Sequence, residues 1–283
     1  MRAIPAYAKI NLSLEVLRRR PDGYHDLVSL LQTVSLADEL TFEDSDRVEL
    51  SFDDSGLQTE DNLVLRAAWL LRHTYGVKAG AAITLRKRTP VAAGLGGGSS
   101  DAATTLQELV SLWELPVKGE ELVGLAARLG SDVPFFLTGG RALVEGRGEL
   151  VTPLPDGPAT WYVLAKPDGG LETKTVFESL AAESMSDGEV TRALASGRSA
   201  EGQSPFGFNG LQETAFRICP AARRCFDALQ EASGRPVILS GSGPTSVAWA
   251  GANQGAEEAA RSMRDRGFWS EAVRCVGREE SVE

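Results

Sequence analysis

Apolar and polar residues alternate at the start of the chain, where Ile10, Leu12, Leu14 and Val16 are separated by Asn11, Ser13 and Glu15. This two-residue period predicts a strand over residues 3–17, with Lys9, Asn11, Ser13 and Glu15 on the opposite face. That polar face reads either as a solvated surface or as a cation and an amide presented side by side. A basic turn, Arg18–Gly23, leads into Tyr24-His25 and an extended run from Leu27 to Leu36. Asp38–Ser51 suggests strands separated by a polar turn at Asp44–Asp46, and a loop with Asp53, Asp54 and Gly56 follows. The period then lengthens. Leu63, Ala67, Leu70 and Leu71 share one face of a helix that starts near Asp61 or Asn62, either a good N-cap, and stops at Gly76. Ile83 and Leu85 alternate with Thr84 and Arg86 as a strand, and Ala102, Ala103, Leu106, Leu109 and Val110 return to helical spacing. Glu120–Leu129 is a third helix, ended by Gly130. The apolar Phe135-Phe136-Leu137 and two short strands around Gly146-Arg147-Gly148 complete this half.

Pro153–Pro158 is the strongest linker signal, so the pattern predicts two domains, 1–155 and 156–283. In the second, strands are expected at Thr160–Ala165, Pro236–Leu239, Thr245–Ala250 and Ala272–Val276. Helices are expected at Thr175–Glu183, Gly210–Ile218, Ala221–Ala232 and Gln254–Arg266. A polar stretch rich in Gly, Ser and Glu runs to about residue 205, and no internal repeat is visible.

Between the strand ending at Arg86 and the helix opening after Gly98 lies Pro90-Val91-Ala92-Ala93-Gly94-Leu95-Gly96-Gly97-Gly98-Ser99-Ser100-Asp101. Four glycines and two hydroxyls exceed what a plain turn requires. A glycine loop opening a helix presents unpaired backbone N–H groups at the positive end of the helix dipole, which is a site for phosphate. It is not a P-loop, because no lysine precedes Ser99, and it lacks the last glycine of G-x-G-x-x-G.

Composition narrows the ligand further. The chain has 283 residues, 24% charged and 42% hydrophobic, as in an ordinary soluble protein. A net charge of −10 speaks against nucleic acid or an anionic membrane as partner, yet a phosphorylated small molecule held by backbone amides remains compatible. Cys219, Cys225 and Cys275 are odd in number and lack metal-ligand spacing, and His25 and His73 are the two histidines. A reduced, cytoplasmic protein without a multi-histidine metal site is expected. No apolar run reaches the length of a membrane helix, and the N-terminus has no signal-peptide pattern.

Three separated stretches now stand out: Pro5-Ala-Tyr-Ala-Lys9-Ile-Asn11, residues 90–101, and Leu239-Ser-Gly241-Ser-Gly243. In order and spacing they resemble the three motifs of the GHMP small-molecule kinases, over nearly the whole chain. Asp22-Gly23-Tyr24-His25, the triple glycine, Gly130–Phe135 and Gly146–Glu149 are similar to the branch whose acceptor is a cytidylyl diphosphate sugar alcohol. The resemblance implies an α+β fold of two domains, the first like ribosomal S5 domain 2 and the second a split βαβ, ferredoxin-like domain. It also implies phosphoryl transfer from ATP, with Mg²⁺, to an alcohol.

Within that resemblance Asp132 is the base that takes the hydroxyl proton. Its residue-level alternative is a helix N-cap ahead of Pro134. Lys9 is the cation beside the transferring phosphate. Residues 90–100, with Asn62 and Lys87, form the nucleotide side; Ser99 and Ser100 touch phosphate or magnesium, and no carboxylate metal ligand is assigned. Asn11, Tyr24, His25 and Phe177 hold the acceptor, the aromatic groups around the cytosine. Ala92 and Ala93 depart from the family, where glycines are often found, and Pro244 stands where a small residue is commoner. Two rival readings stay open: a GHMP kinase for another alcohol, such as homoserine or mevalonate, and a non-catalytic nucleotide-binding regulator on the same scaffold.

Overall fold

The computed structural model describes residues 2–52, 62–181, 184–197 and 204–282. The sequence readings at Asp53, Asp54, Gly56 and Asp61, and the expected helix end at Glu183, lie outside these residues.

Strands β1 (Ile4–Arg19) and β2 (His25–Ser45) form a long antiparallel hairpin, paired from Ile4↔Leu40 to Arg19↔His25 with register shifts along the way. The expected break at Asp44–Asp46 falls slightly later, and β3 (Val48–Phe52) follows directly. Helix α1 (Leu63–Tyr75) has Asn62 as its N-cap, whose side chain accepts from the Val64 N–H, and ends at a left-handed Gly76. It crosses to β4 (Gly80–Arg86), which pairs parallel with β3. Then come α2 (Gly97–Leu112), α3 (Glu120–Leu129), α4 (Val133–Thr138), β5 (Arg141–Gly146) and β6 (Leu150–Leu154). The first sheet runs β3-β4-β2-β5-β6, with β1 on β2.

The second sheet has the order β10-β7-β9-β8 and is antiparallel throughout. It contains β7 (Trp161–Lys166), β8 (Val237–Leu239), β9 (Ser246–Trp249) and β10 (Trp269–Arg274). Helices α5 (Thr173–Glu178), α6 (Glu189–Ala195), α7 (Gln212–Ile218), α8 (Pro220–Ser233), α9 (Asn253–Asp265) and α10 (Arg278–Val282) belong to the same half. Two of these are absent from the sequence expectation. The polar stretch before residue 205 contains α6, and α10 follows a strand that starts three residues earlier and ends two earlier than expected.

β1 organises the interior because it contributes to three apolar clusters. Ala6 packs with α1–α4, whereas Ala8, Ile10 and Leu12 pack against Tyr162, Leu164, Val247 and Val273 of the second sheet. Leu14 and Val16 join Leu171 and α7. Burying a side chain the size of Ile10 stabilises by about 1.5–3 kcal/mol, so this strand holds the two sheets together.

Its polar face is buried as well: Lys9, Asn11, Ser13 and Glu15 are each less than 5% exposed. The solvated reading is therefore set aside. Nor does one face carry all four, because the register shifts between Asn11 and Ser13. Such a bulge re-aims the side chains beyond it. Lys9 and Asn11 line the cleft described next. Ser13 bonds Thr191, and the Glu15 carboxylate accepts from the Thr191 N–H and the Ser186 hydroxyl.

Candidate active site

A cleft of about 1250 Å³ opens where β1, the start of α2 and the turn after β8 converge. Lys9 stands at its centre. Its Nζ donates to Asn11 Oδ1 at 2.8 Å and lies 3.4 Å from Asp132 Oδ2. The Asn11 amide is fixed in turn, donating to Ser29 Oγ at 2.8 Å, and that hydroxyl donates to the Ser13 carbonyl. The Lys9 side chain is 6% exposed and that of Asp132 39%, so the lysine is held from the protein side while the carboxylate faces open space. Asp132 takes the N-cap position of α4 but makes no capping hydrogen bond. Its carboxylate is thus free for chemistry, and the cap reading holds for its place in the backbone alone.

The glycine loop meets the lysine through backbone contacts. The Lys9 N–H donates to the Leu95 carbonyl, and the Ser240 hydroxyl donates to the Gly94 carbonyl at 2.9 Å. Gly94 has φ +78°, and a Cβ on it would overlap the Ser240 carbonyl oxygen. Gly96, the N-cap of α2, has φ +72°; a Cβ there would lie 2.8 Å from the Phe136 ring. With no side-chain cap on α2, its first-turn N–H groups remain available to an anion. Ala92 adopts φ 51°, a left-handed conformation that glycine would take at less cost.

The other end of the cleft is aromatic. The rings of His25 and Phe177 are 5.3 Å apart and tilted by 31°, and Tyr24 is 54% exposed beside them. Tyr24 is presented by a charged turn in which Arg20 pairs with Asp22 and Asp26, and the Asp22 carboxylate accepts the Tyr24 N–H. Burial, then the Arg19 cation, holds the His25 imidazole below its ordinary pKa of 6.5, so it is neutral at pH 7. A neutral imidazole offers one donor and one acceptor, which suits the edge of a base.

Of the residues singled out in the sequence, Lys9, Asn11, Tyr24, His25, Asn62, Lys87, Asp132 and Phe177 all line this cleft. So do Pro90, Val91, Ala92, Ala93, Gly94, Gly96, Gly97, Gly98 and Ser99. Two do not. Leu95 is buried in the apolar layer beneath the second sheet, and Ser100 turns to the opposite side of α2, beside Thr104. One residue along a helix rotates the side chain by about 100°, so adjacent serines cannot both face the ligand. Sequence reasoning assigned no site role to Arg147, whose guanidinium lies 4.9 Å from the Tyr24 ring centre, nor to Thr173, hydrogen-bonded to Ser242 at 2.9 Å across the cleft. Both line it. The glycine-flanked turn at Gly146-Arg147-Gly148 was the available signal for the arginine.

The family model for the GHMP kinases N terminal domain matches residues 62–140, and the model for the GHMP kinases C terminal region matches 191–267. The 4-diphosphocytidyl-2-C-methyl-D-erythritol kinase of Geobacillus kaustophilus is 39% identical, over 86% of each chain. That of Dehalococcoides mccartyi is 40% identical, over 87% of this chain and 88% of its own. A crystal structure of 4-(cytidine 5'-diphospho)-2C-methyl-D-erythritol kinase superposes with a TM-score of 0.81 at 36% identity, covering 98% of this chain and all of that one. The two-sheet α+β arrangement is the two-domain GHMP kinase fold. The chain belongs to the GHMP kinase family, in the branch of its 4-diphosphocytidyl-2-C-methyl-D-erythritol kinase relatives.

Proposed function

We propose that this kinase transfers the γ-phosphoryl group of ATP to the 2-hydroxyl of 4-diphosphocytidyl-2-C-methyl-D-erythritol, in the supply of isoprenoid precursors by the non-mevalonate route. The observation that carries the reading is the Lys9–Asp132 pair, 3.4 Å apart, set between a glycine loop and an aromatic end in one cleft. Phosphoryl transfer depends mainly on positioning and on stabilising charge. Asp132 takes the proton of the acceptor hydroxyl, whose oxygen forms the new bond to phosphorus as the bond to the ADP oxygen breaks. Lys9, held by Asn11, orients that carboxylate and offsets the negative charge that gathers between the two substrates. Residues 90–99 receive the triphosphate, with Asn62 and Lys87 on the nucleotide side. Tyr24, His25 and Phe177 hold the cytosine.

Mg²⁺ is the natural companion of the triphosphate and would supply charge neutralisation there. Among the described residues no group of three or more His, Cys, Asp or Glu side chains could hold a metal. The fit is to an ion carried in by the nucleotide, which Ser99, lining the cleft at the start of α2, could help to hold. Residues 1–155 and 156–283 are taken as the two domains, since β1–β6 fall in one and β7–β10 in the other. A cytoplasmic location is in keeping with free Cys219, Cys225 and Cys275, and no helix among the described residues is long and apolar enough to cross a membrane.

An ADP-release assay with the cytidylyl substrate tests the reading. Saturable turnover with it, and none with homoserine or mevalonate, is the expected result. Turnover with either of those alcohols alone would reassign the acceptor, and ATP binding without any turnover would make the chain a regulator.

A further inference from the structure

Asp38 lies near the end of the family-like N-terminal hairpin, wholly buried, and belongs to none of the motifs noted in the sequence. Its carboxylate nevertheless serves three consecutive residues ahead of the glycine loop. Oδ1 accepts the backbone N–H groups of Arg88 and Thr89 at 2.6 and 2.7 Å, while Oδ2 accepts Lys87 Nζ. The same ammonium donates to Asp101 Oδ2 at 2.8 Å, on the second turn of α2. Lys87 is thereby held between β2 and the helix that the loop opens. Its side chain is 13% exposed and lines the cleft.

The fit around this cluster is close. A Cβ on Gly97, the first residue of α2, would lie 2.8 Å from Thr89 Cγ2 and 3.2 Å from Lys87 Nζ. The loop therefore starts and ends against parts that Asp38 fixes. An ammonium on a flexible four-carbon stem has many rotamers, so an unheld Lys87 would meet the nucleotide in many poses. Held by two carboxylates it meets it in one.

We infer that Asp38 is a positioning residue for the donor nucleotide, presetting Lys87 and residues 87–89 so that the glycine loop receives ATP without rearrangement. The inference rests on the assignment of that loop to ATP. It adds a residue that touches no substrate and acts through Lys87.

Asp38→Asn separates the two tasks of the carboxylate. The amide keeps an oxygen for the Arg88 and Thr89 N–H groups and turns a donor toward the lysine. The expected KM for ATP rises about tenfold, equivalent to about 1.4 kcal/mol, with a much smaller change in kcat and in KM for the cytidylyl substrate. Lys87→Met should act in the same direction, and the double variant should be no worse than the more damaged single one, as for two residues working through one contact. ADP affinity measured directly by calorimetry reads the same effect should either variant turn over too slowly. If Asp38→Asn does not fold, the Lys87→Met measurement alone decides, because an unchanged ADP affinity there overturns the inference. So does a lowered melting temperature with unchanged KM for ATP, or a purely additive double variant. A wild-type protein that shows no saturable response to ATP instead removes the underlying assignment of the loop.

Discussion

Asp132 takes the N-cap position of α4 without using its carboxylate as a cap, and that detail makes a clean prediction. Asp132→Asn should leave the melting temperature and the affinity for ATP nearly unchanged while kcat falls by about 10²–10⁴, the range of general acid–base catalysis. An unaltered kcat would remove the base role. Tyr24→Ala should raise KM for the cytidylyl substrate more than KM for ATP, since the exposed ring lines the cleft from the turn between β1 and β2 rather than from the glycine loop. Asp101 gives a prediction in pH. Burial, outweighing Lys87 and helped by Asp38, pushes its carboxyl up to about 7 from an ordinary 3.8. Between those values the folded chain holds a proton that the unfolded chain has lost, so stability falls as pH rises through the window. Urea midpoints across pH 4–7 should therefore decline in the wild type, and Asp101→Asn should flatten that decline; an identical slope in both would show that Asp101 is not responsible. Lys9 and Asn11 were legible at this scale because strand alternation puts them two apart on one face. Asp38 was not, because its partners lie about fifty residues away and nothing in a local pattern announces a carboxylate shared by three donors.

Among the elements, those with strong punctuation were the most legible. Helix α1 begins at Asn62 and ends at Gly76, and α3 covers Glu120–Leu129, because caps and glycine stops mark their ends. Elements set by tertiary pairing were less so. β2 continues to Ser45 because β4 pairs with it out to Ser45↔Gly80, overriding the polar residues that suggested a turn. α6 is short, uncapped by a side chain and set in a polar stretch, and it is held by Glu15 and Ser13 of β1. The glycine loop was readable as the opening of α2, although the inward direction of Leu95 and Ser100 depends on packing. Gly94→Ala tests the loop as an element. The left-handed φ and the clash with the Ser240 carbonyl should separate the loop from the turn after β8, and ATP binding should be lost well before the protein unfolds. Wild-type ADP affinity in that variant would show that the close approach is not required.

At the scale of the molecule, β1 is shared by the interiors of both sheets. Ile10→Ala should cost about 2–5 kcal/mol, as expected for truncating a fully buried side chain. Because the same strand packs on both sides, calorimetry should show one cooperative transition moving to lower temperature; two separated transitions would contradict the shared interior.

One contact between distant parts of the chain bears on when the enzyme comes into being. The Ser240 hydroxyl, which accepts the Asn11 N–H and donates to Gly94, belongs to the last fifth of the polypeptide. A ribosome that has delivered residues 1–160 has already supplied the lysine, the aspartate and the glycine loop, yet not the hydroxyl that ties the first strand to that loop. A fragment ending at residue 160 therefore keeps the Lys9–Leu95 backbone bond and lacks the second tie, the Ser240 bridge between Asn11 and Gly94.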